Sequence, residues 1–164
     1  MSRLYLLRHG VAVSHGTPDV RDDDRPLTSE GERKVGLVAE GLKRLRVEPD
    51  RIITSPLPRA RRTAEITADV LGLSDRLERL DVLRPGSASK TIRDWLETRE
   101  SDDLMLVGHN PNLSDLLALL AGLPEGGPAF ELKKGAVACL ERDDGGRYRL
   151  HWLATSKLIG RLMK

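Results

Sequence analysis

Short runs of uninterrupted apolar residues alternate along the chain with longer stretches in which apolar positions recur every three or four residues. The first run, Leu4-Tyr5-Leu6-Leu7, has strand length and stops abruptly at Arg8-His9-Gly10. An unbroken apolar run of this kind predicts a strand buried on both faces, as in the middle of an α/β sheet. Residues 14 to 26 are polar and contain Gly16, Pro18, Pro26 and the triplet Asp22-Asp23-Asp24, which predicts a loop. Ser29 and Glu32 have the spacing of a capping box, and Val35, Val38, Leu42 and Leu45 follow at helical spacing, ending before Pro49. Arg51-Ile52-Ile53-Thr54 reads as a short strand. Ser55-Pro56 then opens a helix whose inner face is Ala60, Ala64, Thr67 and Leu71, with Gly72 as its stop.

A brief apolar segment at residues 80 to 83 precedes Pro85-Gly86, and residues 89 to 98 read as a helix. Leu104-Met105-Leu106-Val107 is a second buried-strand run, ending at Gly108-His109-Asn110-Pro111. Leu113, Leu116, Leu117 and Leu120 form an apolar helical stripe that Gly122 closes. Residues 135 to 141 and 147 to 154 alternate like strands joined by an Asp144-Gly145 turn. Strand and helix in alternation predict a three-layer α/β/α fold with a mostly parallel central sheet and a C-terminal antiparallel edge hairpin. No linker interrupts the pattern, so residues 1–164 are expected to form a single domain.

Composition narrows the picture without deciding it. With 39 % apolar and 32 % charged residues among 164, the chain is of the ordinary globular class and long enough for one sizeable core. The longest apolar runs are far too short to span a bilayer, and the N-terminal residues lack the long apolar region and small-residue cleavage site of a signal peptide. Cys139 is the single cysteine, so no internal disulfide can form. A cytoplasmic location is the expectation. The net charge is only +2 and aromatics make up 3 %, which leaves too little for a nucleic-acid surface. Neither nucleic acid nor membrane is an expected partner.

Ligands of open α/β sheets bind beyond the carboxyl ends of the strands. Two of the apolar runs end in histidine, at His9 and His109, and a third strand runs into Ser55-Pro56-Leu57-Pro58-Arg59-Ala60. If these strands are parallel neighbours, Arg8, His9, Arg59 and His109 meet at one rim. Two guanidiniums and two imidazoles make an oxyanion site, because arginine forks match phosphate geometry and the helix after Ser55 adds the positive end of its dipole. His15 and His151 have no partner at a recognisable spacing and are taken as structural. No pair of histidines has the spacing of metal ligands on one element, so neither a metal nor any other cofactor is expected.

Arg8-His9-Gly10 after an N-terminal strand, Ser55-Pro-Leu-x-Arg59-Ala-x-x-Thr63-Ala64, and a late strand into Gly108-His109 together resemble the signature of the histidine phosphatase superfamily, whose fold is called phosphoglycerate mutase-like. Small size, Arg25-Pro26-Leu27-Thr28 with Gly31, Gly108-His109-Asn110-Pro111 and Gly135-Ala136-Val137-Ala138 resemble the SixA-type phosphohistidine phosphatases within it. The resemblance implies that His9 is a nucleophile attacking phosphorus through Nε2. It implies that Arg8, Arg59 and His109 bind the phosphoryl oxygens, with Ser55 and Asn110 as further substrate-binding candidates.

Two departures bear on the substrate. One branch of the superfamily has an aspartate directly after the second histidine as general acid, and here that position is Asn110. The mutase-like branch takes a glutamate from the segment between the second arginine and second histidine. That segment here offers Glu78, Asp81 and Glu97, none in a matching context. Asp22, Asp24 and Asp81 remain as candidate acids. An alkoxide leaving group, with a conjugate-acid pKa near that of water at about 15.7, needs a proton as it departs. An imidazole, with a pKa of about 6.5, needs far less help. The expected activity is therefore metal-independent hydrolysis of phosphohistidine on a protein, such as a phosphotransfer domain. A broad-specificity phosphatase of small phosphorylated molecules and a non-catalytic phosphate-binding module are the alternatives.

Overall fold

The computed structural model describes residues 1–99, 102–124, 127 and 129–163. Its strands are β1 (Ser2–Arg8), β2 (Arg51–Thr54), β3 (Leu77–Arg79), β4 (Leu104–Gly108), β5 (Val137–Arg142) and β6 (Tyr148–Ala154). Its helices are α1 (Ser29–Arg44), α2 (Pro58–Leu71), α3 (Ser89–Glu97), α4 (Asn112–Leu120) and α5 (Ser156–Arg161). The strands form one sheet in the order β3-β2-β4-β1-β5-β6. β3, β2, β4 and β1 are mutually parallel, β5 runs antiparallel to β1, and β6 runs antiparallel to β5. This is the mostly parallel sheet with an antiparallel edge hairpin that the alternation predicts.

Side-chain alternation along the strands splits the core into two layers. Leu4 and Leu6 of β1, with Leu104 and Leu106 of β4, pack against Ile92 and Leu96 of α3 and Leu113, Leu116 and Leu117 of α4. Tyr5, Leu7, Met105 and Val107 point the other way, against Val38 and Leu42 of α1, Ala60, Ala64 and Ala68 of α2, and Ile159 of α5. Both faces of the central strands are covered, which is why they read as unbroken apolar runs. No helix among the described residues is long and apolar enough to cross a membrane.

Several local details differ from the sequence reading. α1 is capped by Thr28, whose Oγ1 accepts the Gly31 N–H at 2.9 Å, and Ser29 is already helical. Glu32 takes no part in the cap; its carboxylate accepts from Arg62 on α2 instead. Leu45 lies past the last turn and is exposed. β3 is invisible as a pattern because two of its three residues are charged; backbone pairing to β2 defines it. α5, closed at its start by Thr155 Oγ1 accepting from Leu158 N–H at 3.2 Å, follows β6 without a periodic signal long enough to read.

The start of α1 presses on the turn that follows β1. A Cβ at Gly31 would stand 2.1 Å from the Val11 carbonyl oxygen, and one at Gly10 would stand 2.5 Å from Val35 Cγ2. Only glycine allows this approach, and it fixes the backbone on which His9 sits.

Candidate active site

β1 and β4 end side by side, with Arg8 opposite Gly108. His9 and His109 are the next residues on the two chains. His9 N–H donates to the Gly108 carbonyl at 3.0 Å, and the two imidazole centroids lie 5.1 Å apart with planes inclined at 58°. β2, on the far side of β4, ends with Thr54 opposite Val107, which places Ser55 beside Gly108. Ser55 Oγ lies 2.8 Å from His109 Nε2. α2 begins at Pro58 and carries Arg59 in its first turn, buried to 3 % exposure. Arg8, His9, Ser55, Arg59 and His109 are thus gathered at the carboxyl edge of three parallel strands.

Hydrogen-bond chemistry assigns the tautomer of His9. Its Nδ1 lies 2.7 Å from the Gly10 carbonyl oxygen, which can only accept, so Nδ1 carries the proton. The neutral ring then has its lone pair on Nε2. Burial pushes the His9 pKa down to about 4; the Gly10 hydrogen bond opposes this, and Arg59, Arg8 and Lys134 add to the lowering. Desolvation, more than the neighbouring cations that the sequence suggests, keeps the imidazole neutral.

His109 is fixed by a different route. Ser55 is fully buried, and its Oγ accepts the Leu57 N–H at 3.3 Å. If the hydroxyl also accepted from His109 Nε2, its own proton would have no acceptor and the imidazole Nδ1 lone pair would be buried without a donor. With the hydroxyl donating to Nε2, a single group is left over, the Nδ1–H, which is buried and has no partner among the described residues. Counting partners therefore selects the tautomer with the proton on Nδ1. Burial, then the nearby His9, Arg59 and Arg8, push the His109 pKa down to about 3, so this ring is a neutral donor.

Each guanidinium is anchored once and left open elsewhere. Arg8 donates from Nη1 to the Leu132 carbonyl at 2.9 Å, and Arg59 donates from Nη1 to the Asp22 carbonyl at 3.0 Å. Both Nε groups are buried without an acceptor among the described residues. Arg8 Nε, Arg59 Nε and His109 Nδ1 are three orphaned N–H donors on the quartet that the sequence singles out. Donors of this kind, two of them on guanidiniums, are suited to an oxyanion.

The candidate acids are placed differently. The Asp22 side chain is about half exposed, bonded to Arg25 and held below the usual carboxylate range by it. Asp24 pairs with Arg21 and Asp81 with Arg84 at the surface. Glu78 bonds Arg51 on the neighbouring strand. None joins the buried quartet. Asn110 uses its amide as scaffold: Nδ2 donates to the Leu132 carbonyl at 2.8 Å, and Oδ1 accepts from Ser114 at 2.9 Å.

Three contributors were not assigned roles from the sequence. Thr63 Oγ1 accepts the Gly10 N–H at 3.0 Å and donates to the Arg59 carbonyl at 2.8 Å, tying the His9 turn to α2. The Leu132 carbonyl accepts from both Arg8 and Asn110. Arg25, whose side chain is 16 % exposed, adds a third guanidinium close enough to disfavour positive charge on Arg59 and His109. Their signals, a threonine one turn after Arg59 and an arginine in a polar loop, carry no chemistry until the contacts are known. Among the described residues, no group of three or more His, Cys, Asp or Glu side chains is arranged to hold a metal.

Residues 4–84 match the family model described as histidine phosphatase superfamily (branch 1). An uncharacterized protein of Picosynechococcus sp. is 36 % identical over 90 % of this chain and 89 % of its own. The phosphohistidine phosphatase SixA of Escherichia coli K12 is 29 % identical over 92 % of this chain and 91 % of its own. A probable phosphoglycerate mutase GpmB of Klebsiella pneumoniae is 33 % identical over 99 % of this chain and 75 % of its own. Among solved structures, the protein histidine phosphatase SixA complexed with tungstate superimposes with a TM-score of 0.83 at 26 % identity, covering 94 % of this chain and 97 % of that one.

Proposed function

Because this chain belongs to the histidine phosphatase superfamily, we propose that it is a metal-independent phosphatase in which His9 Nε2 transiently carries the phosphoryl group, acting on phosphohistidine of another protein. The observation that carries this reading is the pairing of one neutral imidazole, its Nε2 lone pair free, with three buried N–H donors that lack partners among the described residues. Tungstate, the ligand of the SixA relative, is a tetrahedral oxyanion that stands in for a phosphoryl group.

In the first step the His9 Nε2 lone pair attacks phosphorus while the bond from phosphorus to the substrate nitrogen breaks. The departing imidazole keeps that electron pair and takes a proton from water. Arg8, Arg59 and the His109 Nδ1–H hold the phosphoryl oxygens as their charge redistributes, a stabilisation that fixed guanidiniums supply without a metal. In the second step water attacks the phospho-His9, releasing phosphate and restoring the free imidazole.

The substrate choice rests on the leaving group. Of the carboxyls near the quartet's guanidiniums, Asp22, Asp23 and Glu131, the first and the last are held below their usual range, by Arg25 and Lys133, and are poor proton donors at neutral pH. Such a site suits an imidazole or phenol leaving group better than an alkoxide. Access fits a protein substrate. Between α2 and β4 the described chain holds only β3, two short 3-10 turns and α3, and α3 packs on α4 under the sheet instead of roofing the rim.

A small-molecule phosphomonoesterase is the second reading, favoured by the likeness to the probable phosphoglycerate mutase. Three substrates separate the two: a phosphohistidine protein, an aryl phosphate and an alkyl phosphate, each in excess chelator. The first two turn over and the third barely does, with acid-labile phosphate trapped on the wild type and absent from His9→Ala. Equal rates on alkyl phosphate overturn the substrate assignment, and loss of activity in chelator overturns the metal-free mechanism.

A further inference from the structure

β6 is antiparallel to β5 and therefore runs in the same direction as β1, so it ends at the rim that carries His9. α5 starts there, immediately after β6, and descends beside α1, whose own first turn is at that rim. Their far ends meet where Arg44 Nη1 donates to the Leu162 carbonyl at 2.7 Å. An open groove of about 470 Å³ is lined by the two packed helices. Arg33, Lys34, Lys157 and Arg161 line it, together with Leu37 and Ser156, and no carboxylate is among its described lining residues. Glu30 pairs with Arg33 and stands 3.9 Å from Lys34, which leaves the groove a clear excess of positive charge.

The Ser156 end of the groove lies close to the active-site rim. Gly135 N–H donates to the His9 carbonyl at 3.2 Å, and a Cβ on Gly135 would lie 3.2 Å from Ser156 Cβ at the top of α5. Lys134, the residue before it, is exposed and close enough to His9 to help lower its pKa. Cations therefore extend from the catalytic imidazole over Lys134 and down the α1–α5 groove. Beside Arg59 the rim carries Asp22, Asp23 and Asp24, of which Asp22 is paired with Arg25 and Asp24 with Arg21.

The geometry points to this groove as the docking surface for an acidic segment of the phosphorylated protein, which lies along α1 and α5 while its phosphohistidine enters the rim. The inference rests on the proposed protein substrate. Charge complementarity selects an acidic partner and steers it to the cationic side of the mouth. A polypeptide fits better than a nucleic acid, because no aromatic side chain lines the groove for base stacking.

The test is a triple charge reversal, Lys34→Glu with Lys157→Glu and Arg161→Glu. All three residues are exposed and outside the quartet. At low ionic strength KM for a phosphohistidine protein with an acidic face rises by about tenfold or more, while kcat and the turnover of aryl phosphate stay unchanged. Binding of an oligoglutamate peptide, measured without any phosphoryl chemistry, is lost in the same variant. A wild type that turns over only small phosphates fails the proposed function, and the peptide still reports on the groove. Peptide binding that survives the reversal overturns the docking surface. So does tighter wild-type binding to a single-stranded oligonucleotide or to phosphatidylserine vesicles than to the peptide, which assigns the groove to those partners.

Discussion

His9 and His109 are joined through the sheet: each follows the last residue of its strand, the strands are hydrogen-bonded neighbours in register, and the rings stand 5.1 Å apart. Their separation is set by strand spacing, and the rigid sheet holds the proposed nucleophile and the proposed hydrogen-bond donor to the phosphoryl group at a fixed distance. The same closeness makes His9 disfavour a proton on His109, in an environment already poor in water.

Activity should accordingly be insensitive to pH over the range where free histidine titrates. With the His9 pKa at about 4, kcat/KM on aryl phosphate stays level from pH 8 to near pH 5, once corrected for substrate ionisation, and falls only as pH drops through about 4. An inflection near pH 6.5 would show that the folded site does not hold His9 neutral.

Stability carries the opposite face of that effect. Both folded pKa values lie below the unfolded value of about 6.5, so the unfolded chain binds protons that the native site refuses. Stability is full above pH 6.5 and declines as pH falls toward the folded values, by about 2 kcal/mol per histidine at pH 5. Urea midpoints at pH 7 and pH 5 measure this, and His109→Gln shows the smaller decline.

Ser55→Ala removes the hydroxyl that holds His109 Nε2 as an acceptor. The proton is then free to move to Nε2, and the donor to the phosphoryl oxygen is lost part of the time. A fall in kcat of about tenfold to a hundredfold is expected, within the cost of losing one oxyanion donor. Nitrogen NMR shifts of His109 should report mixed tautomers in the variant and a single one in the wild type. An unchanged tautomer with unchanged kcat contradicts the assignment.

Thr63→Val keeps the shape but leaves the Gly10 N–H unpaired in a buried place. Such a group costs about 1–3 kcal/mol. The denaturation midpoint falls accordingly, and Thr63→Ser restores most of it.

Two glycines in α1 make a matched pair. A Cβ at Gly31 meets the Val11 carbonyl oxygen at 2.1 Å, whereas one at Gly36 meets nothing within 4 Å. Gly31→Ala should destabilise by about 1–3 kcal/mol and lower activity by shifting the His9 turn. Gly36→Ala should stabilise by roughly 0.5–1 kcal/mol with activity unchanged. Equal effects at the two positions would deny the close approach of α1 to the turn.

What the sequence determined by itself is local in origin. The unbroken apolar runs at Leu4 to Leu7 and Leu104 to Val107 required strands covered on both faces, and hence a layered fold. Their abrupt ends in His9 and His109, with Arg59 after a third strand, marked the rim, because period and polarity change are properties of neighbouring residues. Short elements such as β3 and α5 gave too few residues for a period to emerge. Tertiary structure alone decided the chemical state of the site. The tautomer of His109, the anchoring of Arg8 on Leu132 and Arg59 on Asp22, and the tie through Thr63 depend on groups distant in the chain. Burial, which lowers both imidazole pKa values, exists only once the layers close. Pairing and desolvation are relations between segments, and no single segment encodes them.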